Sequence, residues 1–140
     1  MSSIRKVFTC FALLGFLFVG VNSKAHAAGI VDSYKYSDYF NSVSWITRDG
    51  VVSLSIHPDK DSPLITTNGN IKMAHASHAF NLLKNKWSSS SKWKNTKAMS
   101  AQFHCHVLGA GKAKTPWNLE PHRTTTSLPE TMAKACNPKN

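Results

Sequence analysis

The sequence predicts a small single domain of the α+β class, with an antiparallel β-hairpin over about residues 42–57 packed against two or three helices and tied by one disulfide. Three observations carry this. Two apolar–polar alternating segments flank an Asp-Gly pair, apolar residues recur at helical spacing over residues 70–87, and two cysteines remain once an export leader is set aside. The 140 residues allow one domain and exclude a multi-domain enzyme. Hydrophobic residues at 41% and aromatics at 10% argue against intrinsic disorder. The charged share of 17% lies below the usual value of about 25%.

Residues 1–27 read as a cleavable signal peptide. Arg5 and Lys6 precede an apolar run from Val7 to Val21, and Ala25-His26-Ala27 places small residues on either side of a larger one. The 15-residue run falls short of the roughly 20 needed to span a bilayer. Cys10 precedes most of that run instead of ending it, which argues against a lipoprotein. Arg5, Lys6 and Lys24 leave with the leader, so 14 basic residues face seven acids in the remaining 113, a charge of +7. The mature chain is expected to be secreted, soluble and drawn to acidic partners such as cell-wall polymer, anionic lipid or nucleic acid. Cys10 leaves too. In an exported chain of this size, Cys105 and Cys136 read as one disulfide closing a loop of 30 residues. Two free thiols, or Cys105 as a metal ligand, are the alternatives. Loop-closure entropy gives such a bond about 3–4 kcal/mol.

Residues 28–41 are Tyr-rich without a clean period, an irregular lead-in whose rings pack on the domain. Ser42 to Arg48 and Val51 to His57 then flank Asp49-Gly50, a pair suited to the two positive-φ positions of a tight hairpin turn. A two-residue turn pairs Arg48 with Val51, Thr47 with Val52, Trp45 with Leu54 and Val43 with Ile56. One face then holds Val43, Trp45, Val52, Leu54 and Ile56, and the other Ser44, Ser53 and Ser55 with Ile46 as the exception. A slip by one would mix the faces. Pro58, Asp59, Asp61 and Pro63 make a loop. Asn70 serves as N-cap of a helix over 70–87, whose stripe of Ile71, Ala74, His75, His78, Ala79, Leu82 and Leu83 should face the hairpin. Ser88 to Ser91 break it with a flexible connector. Residues 95–108 suit a helix, although Phe103, Cys105 and Val107 also alternate like a strand. Residues 112–126 are irregular around Pro116 and Pro121. Ser127 with Glu130 matches a capping box that starts a short helix from about Leu128 to Cys136, stopped by Pro138.

Two histidine clusters invite a metal reading. His75 and His78 share a helix face, and His104 and His106 flank Cys105, enough imidazoles for a tetrahedral zinc site. The spacing matches no zinc signature and no acid lies near to orient the rings. They read as structural histidines, and no metal or cofactor is expected. Trp117-Asn118-Leu119-Glu120-Pro121-His122-Arg123 is the densest polar–aromatic patch. Glu120 with His104, His106 or His122 has the chemistry for general acid–base work, and Lys112 or Arg123 for steadying an anion. Opposing this, Glu120 and Arg123 at i, i+3 can simply pair, Trp117 can cover the disulfide, and no nucleophile motif, P-loop or paired-carboxylate signature is present.

Trp45, Gly50-x-x-Ser53-Leu54, Gln102-Phe103-x-Cys105-His106, Lys114-x-x-Trp117-Asn118-Leu119-Glu120-Pro121-x-Arg123 and Cys136-Asn137-Pro138 follow in order. In these the chain resembles a bacterial family of small secreted proteins classed as a domain of unknown function. The likeness covers roughly residues 42–138. His122 stands where relatives often carry a second Trp, and Thr124 where they carry Pro. The resemblance implies a shared fold, secretion and a Cys105–Cys136 bridge. It implies no activity.

The expected function is a secreted binding or effector module for an anionic cell-wall polymer or membrane surface. Trp87, Trp93 and Trp117 are interleaved with Lys86, Lys92, Lys94 and Lys114, and indoles stack on sugars while lysines meet phosphate. Trp117, Asn118, Glu120 and Arg123 are the candidate binding residues. The alternative is a small secreted hydrolase, with Glu120, His106 and Arg123 as its candidate catalytic groups. Nucleic acid is not expected as the partner, because no known motif for it is present.

Overall fold

The computed structural model describes Gly29 and residues 31–138. The expected leader, residues 1–27, lies outside the described residues. The chain forms helix α1 (Tyr36–Tyr39), strands β1 (Phe40–Arg48) and β2 (Val51–Pro58), helices α2 (Pro63–Thr66), α3 (Gly69–Trp87) and α4 (Thr96–Cys105), strand β3 (Trp117–Leu119) and helix α5 (Leu128–Ala133). A π-helical turn, His106–Ala110, and a short 3₁₀ turn, Gly111–Ala113, join α4 to β3. No described helix is long and apolar enough to cross a membrane.

The hairpin pairs as its side-chain alternation requires. Arg48 faces Val51, Thr47 faces Val52, Trp45 faces Leu54 and Val43 faces Ile56. Asp49 and Gly50 both take positive φ, 51° and 77°, the geometry that a tight turn between twisted strands demands. Strand β1 starts at Phe40, two residues before the expected boundary, with a bulge between Phe40 and Ser42. The lead-in rings do pack on the domain: Tyr39 is fully buried, and Tyr34 and Tyr36 lie against the core. The lead-in is not wholly irregular, however, because residues 36–39 make a helical turn.

Residues 117–119, expected to be irregular, form the third strand. It runs antiparallel to β2, pairing Ile56 with Trp117, Ser55 with Asn118 and Leu54 with Leu119. A three-residue strand is too short to show a period, so only its tertiary partner reveals it. Trp117 and Leu119 thereby join Leu54 and Ile56 on the face covered by the helices, all four fully buried. Asn118 points to the other face.

Helix α3 begins one residue before the expected start, after Asn68 as N-cap. Its buried face is also turned from the expected stripe. His75, Ala76, Ala79, Phe80 and Leu83 are buried, while Ile71 is 47% exposed. The ring of Phe80 lies within 6 Å of Phe103 and gains more from burial than an isoleucine in the first turn. Residues 96–105 are helical, not extended, and bury Met99, Gln102, Phe103 and Cys105. The serine run forms hydrogen-bonded turns, with Ser90 N–H donating to Trp87 O and Trp93 N–H to Ser90 O. At α5 the Ser127 hydroxyl accepts from Glu130 N–H, as a capping box requires. The helix ends at Ala133 and not at Cys136, because Ala135 and Cys136 adopt left-handed φ of 53° and 69°. That turn brings Cys136 to Cys105 with a Cα–Cα separation of 5.4 Å, and the two form the disulfide.

Candidate functional site

The two motif segments, residues 102–106 and 114–123, meet where α4 runs alongside β3. Most of their polar atoms build structure. Gln102, fully buried, accepts from Glu120 N–H at 2.8 Å through Oε1 and donates to Glu120 O at 3.2 Å through Nε2. Its side chain therefore completes the strand edge just beyond Leu119. Trp117 donates from Nε1 to Gly111 O at 3.1 Å and pins the loop after the π-helical turn. Asn95 Nδ2 donates to Pro121 O at 2.9 Å. Arg123 donates to the Glu120 carboxylate and to Pro138 O, which ties the C-terminal segment to β3, and both side chains of this ion pair are largely buried.

The residues of the hydrolase alternative are engaged in other contacts. Glu120 turns its carboxylate to Arg123. His104 donates from Nδ1 to Ser100 O at 2.8 Å and packs on Phe80 and Phe103. His122 lies on a groove near the hairpin turn. His75 bonds to the Tyr39 hydroxyl at 2.8 Å through Nδ1, and His78 donates from Nε2 to Tyr34 O at 2.9 Å. Among the described residues, no three His, Cys, Asp or Glu side chains gather as metal ligands would. Trp117, a candidate binding residue, is fully buried and belongs to the core. Trp87 and Trp93 are only half-exposed. Their indole N–H groups are taken by Tyr36 Oη and Thr96 Oγ1, and their rings lean on Trp45 and Phe80. The expected indole surface for sugars is therefore largely spent on packing.

His106 and Asn118 stand apart from this framework. Among the described residues, four buried side-chain N or O atoms make no hydrogen bond of good geometry: both ring nitrogens of His106, which lies within reach of the Asn118 backbone, Asn118 Oδ1 and Trp45 Nε1. Three of the four belong to residues lining one cleft of about 440 Å³ beside the disulfide. Cys105, Cys136, Ala110, Pro116 and Met132 form apolar walls, and Lys114 and Asn137 add polar groups. His106 stacks on Trp117 with ring planes 6° apart and centroids 6.4 Å apart. Burial pushes its pKa below the ordinary value of 6.5 and Lys114 adds to that. A loose hydrogen bond to the Asn118 backbone and the charge of Glu120 pull the other way without reversing it. The imidazole is thus neutral at pH 7, with one donor and one acceptor. The π-helical turn that starts at His106 is closed by Gly111 N–H donating to His106 O, a local departure from α geometry that recurs at functional sites.

A second concavity, of about 460 Å³, lies at the hairpin turn between Gly50–Val52 and the segment after α3, with Lys92, Lys94, Pro121 and His122 on its walls. Its charge continues a wider asymmetry. Residues 62–119 contain eight lysines and no Asp or Glu, whereas five of the seven acids lie between Asp32 and Asp61. None of those eight lysines makes an ion pair among the described residues.

Fold and site together define a small disulfide-stapled α+β domain with a polar cleft at the staple and a basic groove at the hairpin turn. Residues 40–139 match the family described as protein of unknown function (DUF2599), and the chain belongs to that family. The match begins at the first residue of β1 and takes in Cys105 and Cys136. No curated protein and no solved structure matches the chain.

Proposed function

We propose that this protein is a secreted, non-enzymatic binding module whose ligand is an anionic, phosphate-bearing polymer of the cell envelope. The observation that carries the reading is the acid-free stretch of residues 62–119, with Lys92 and Lys94 walling one groove at the hairpin turn. Unpaired lysines that line a concave surface concentrate field there and attract a polyanion over distances of about one Debye length. Export is supported by the pattern of residues 1–27 and fits the Cys105–Cys136 bond, since disulfides persist in oxidising compartments. Glu120 gives the hydrolase alternative no separate support, because Arg123 occupies its carboxylate.

The test is binding of the mature protein to poly(glycerol phosphate) across a salt series. Binding at low salt that weakens steeply as salt rises is expected. The double variant Lys92→Gln/Lys94→Gln should bind at least about tenfold more weakly. Lys60→Gln, at the acid-bearing end beside Asp61, should bind as the parent does. Absence of low-salt binding, or equal losses in the two variants, would reject the reading.

A further inference from the structure

The two edges of the sheet are finished differently. The strand order β1-β2-β3 leaves β1 and β3 each with one side that no strand covers. β3 is protected. It is three residues long, Pro116 and Pro121 flank it, and the Gln102 side chain takes the N–H and C=O of Glu120 where the strand ends. β1 has nine residues, and its positions 41–47 (NSVSWIT) hold no charge, proline or glycine. Its bulge lies at the start, between Phe40 and Ser42. The two-residue turn makes Arg48 and Val51 a hydrogen-bonded pair. Residues 42, 44, 46 and 48 therefore turn their N–H and C=O to β2, while Val43, Trp45 and Thr47 turn theirs away. Among the described residues, no backbone group of another element bonds to these outward groups. Thr47 is exposed and Val43 and Trp45 are half-buried, so the edge reaches solvent. An uncharged edge of this length is a template for one more strand.

Charge and symmetry choose the occupant. Residues 32–61 hold five acids against Lys35, Arg48 and Lys60, so the hairpin segment lacks the basic excess that holds copies of this chain apart. An antiparallel match about a two-fold axis at Trp45 sets Val43 against Thr47, Ser44 against Ile46 and Ser42 against Arg48 of the second copy. All the outward groups of residues 43, 45 and 47 are then used, and the bulge stays outside the hydrogen-bonded part. The faces also agree. Trp45 meets Trp45 on the helix-covered side, an aromatic cross-strand pair, while Ser42, Ser44, Ile46 and Arg48 meet on the other with no like charges opposed. We propose that the β1 edge joins a second copy of this chain in an antiparallel ladder about a two-fold axis at Trp45, which makes one continuous sheet of the two three-stranded ones. This interface does not rest on the polymer reading.

The experiment is sedimentation equilibrium of the mature protein from about 10 µM to about 1 mM. A monomer–dimer equilibrium is expected in that range, with amide exchange of Val43, Trp45 and Thr47 slowing as concentration rises. Thr47→Pro removes an outward N–H at an exposed edge position, where a strand tolerates proline, and should raise the dimer Kd at least about tenfold. Ser42→Glu puts a carboxylate opposite Arg48 of the second copy and should lower Kd at least about threefold. Ser42→Lys puts a like charge there and should raise Kd by about as much. Ser42 and Arg48 are both exposed, so these two proteins keep the parent's far-UV spectrum and decide the matter even where Thr47→Pro fails to fold. Three results overturn the proposal. One is a chain that is monomeric at about 1 mM, which leaves the edge to an extended segment of another protein or to water. Another is a dimer that a folded Thr47→Pro protein retains, which is joined elsewhere. The last is a dimer that Ser42→Glu and Ser42→Lys shift alike or not at all, which lacks the pairing of Ser42 with Arg48.

Discussion

His75 and His106 are both shut away from solvent, at 2% and 8% exposure, and their surroundings differ in kind. His75 sits in a cage of rings, with Tyr34 edge-on at 4.7 Å and the Tyr39 hydroxyl bonded to Nδ1. His106 lies flat on Trp117 near the Asn118 backbone, with no hydrogen bond of good geometry to either nitrogen. The first is a finished piece of core, in which a tyrosine from the lead-in closes the account of a buried imidazole. The second leaves its ring nitrogens poorly paired beneath the wall of a cleft. Burial alone therefore does not separate a structural histidine from a site histidine.

The two regions also differ in how they are held, and that gives the largest effect. Packing of α1, β1 and α3 holds His75, whereas the Cys105–Cys136 bond closes the wall beside His106. Replacing both cysteines by alanine should cost about 3–4 kcal/mol in urea unfolding. If the staple matters most locally, hydrogen exchange in residues 106–119 should rise before exchange in residues 71–83 does. Equal loss of protection in both would dissolve the distinction.

His75→Leu comes next. It leaves the Tyr39 hydroxyl buried without its partner, and a loss of about 1–3 kcal/mol is expected from the same unfolding measurement. Acidification should act on both histidines. Burial lowers the His75 pKa, with a further contribution from His78, and burial lowers that of His106. Well above pH 6.5 both rings are neutral whether the chain is folded or not, so they add no pH dependence there. As pH falls below that value the unfolded chain takes up protons first, and stability falls through the window down to the folded-state pKa values. Thermal melts from pH 7.5 to pH 5 should show a steady decline, and a flat profile would mean that neither ring resists protonation. The smallest effect is expected from His106→Leu, under about 1 kcal/mol in either direction, because it removes ring nitrogens that make no hydrogen bond of good geometry. A loss as large as that of His75→Leu would show that His106 has a structural partner after all.

Much of the fold was legible along the chain. The hairpin was readable in register because Asp49-Gly50 leaves one turn geometry and the alternation of Val43, Trp45, Leu54 and Ile56 tolerates no slip. The helices over 69–87 and 96–105 were readable from spacing, but the buried face of α3 was not. Ile71 and Phe80 both qualify as apolar, and only the position of Phe103 decides which of them is covered. The resemblance carried by residues 102–106, 114–123 and 136–138 agrees with the family match. It singled out segments without saying what each residue does. Glu120 and Arg123 looked like chemistry and form an ion pair, and Trp117 looked like a binding surface and is core.

By itself the sequence determined the fold class, the hairpin register, the pair of cysteines and the basic balance, all of which follow from local periodicity, turn chemistry and composition. Tertiary structure alone decided that residues 117–119 are a strand, that Lys92 and Lys94 of the acid-free stretch wall one groove, and that His106 is buried against Trp117 near Asn118. The reason is physical: whether a buried polar atom is satisfied depends on atoms far away in the chain, and no local pattern records them.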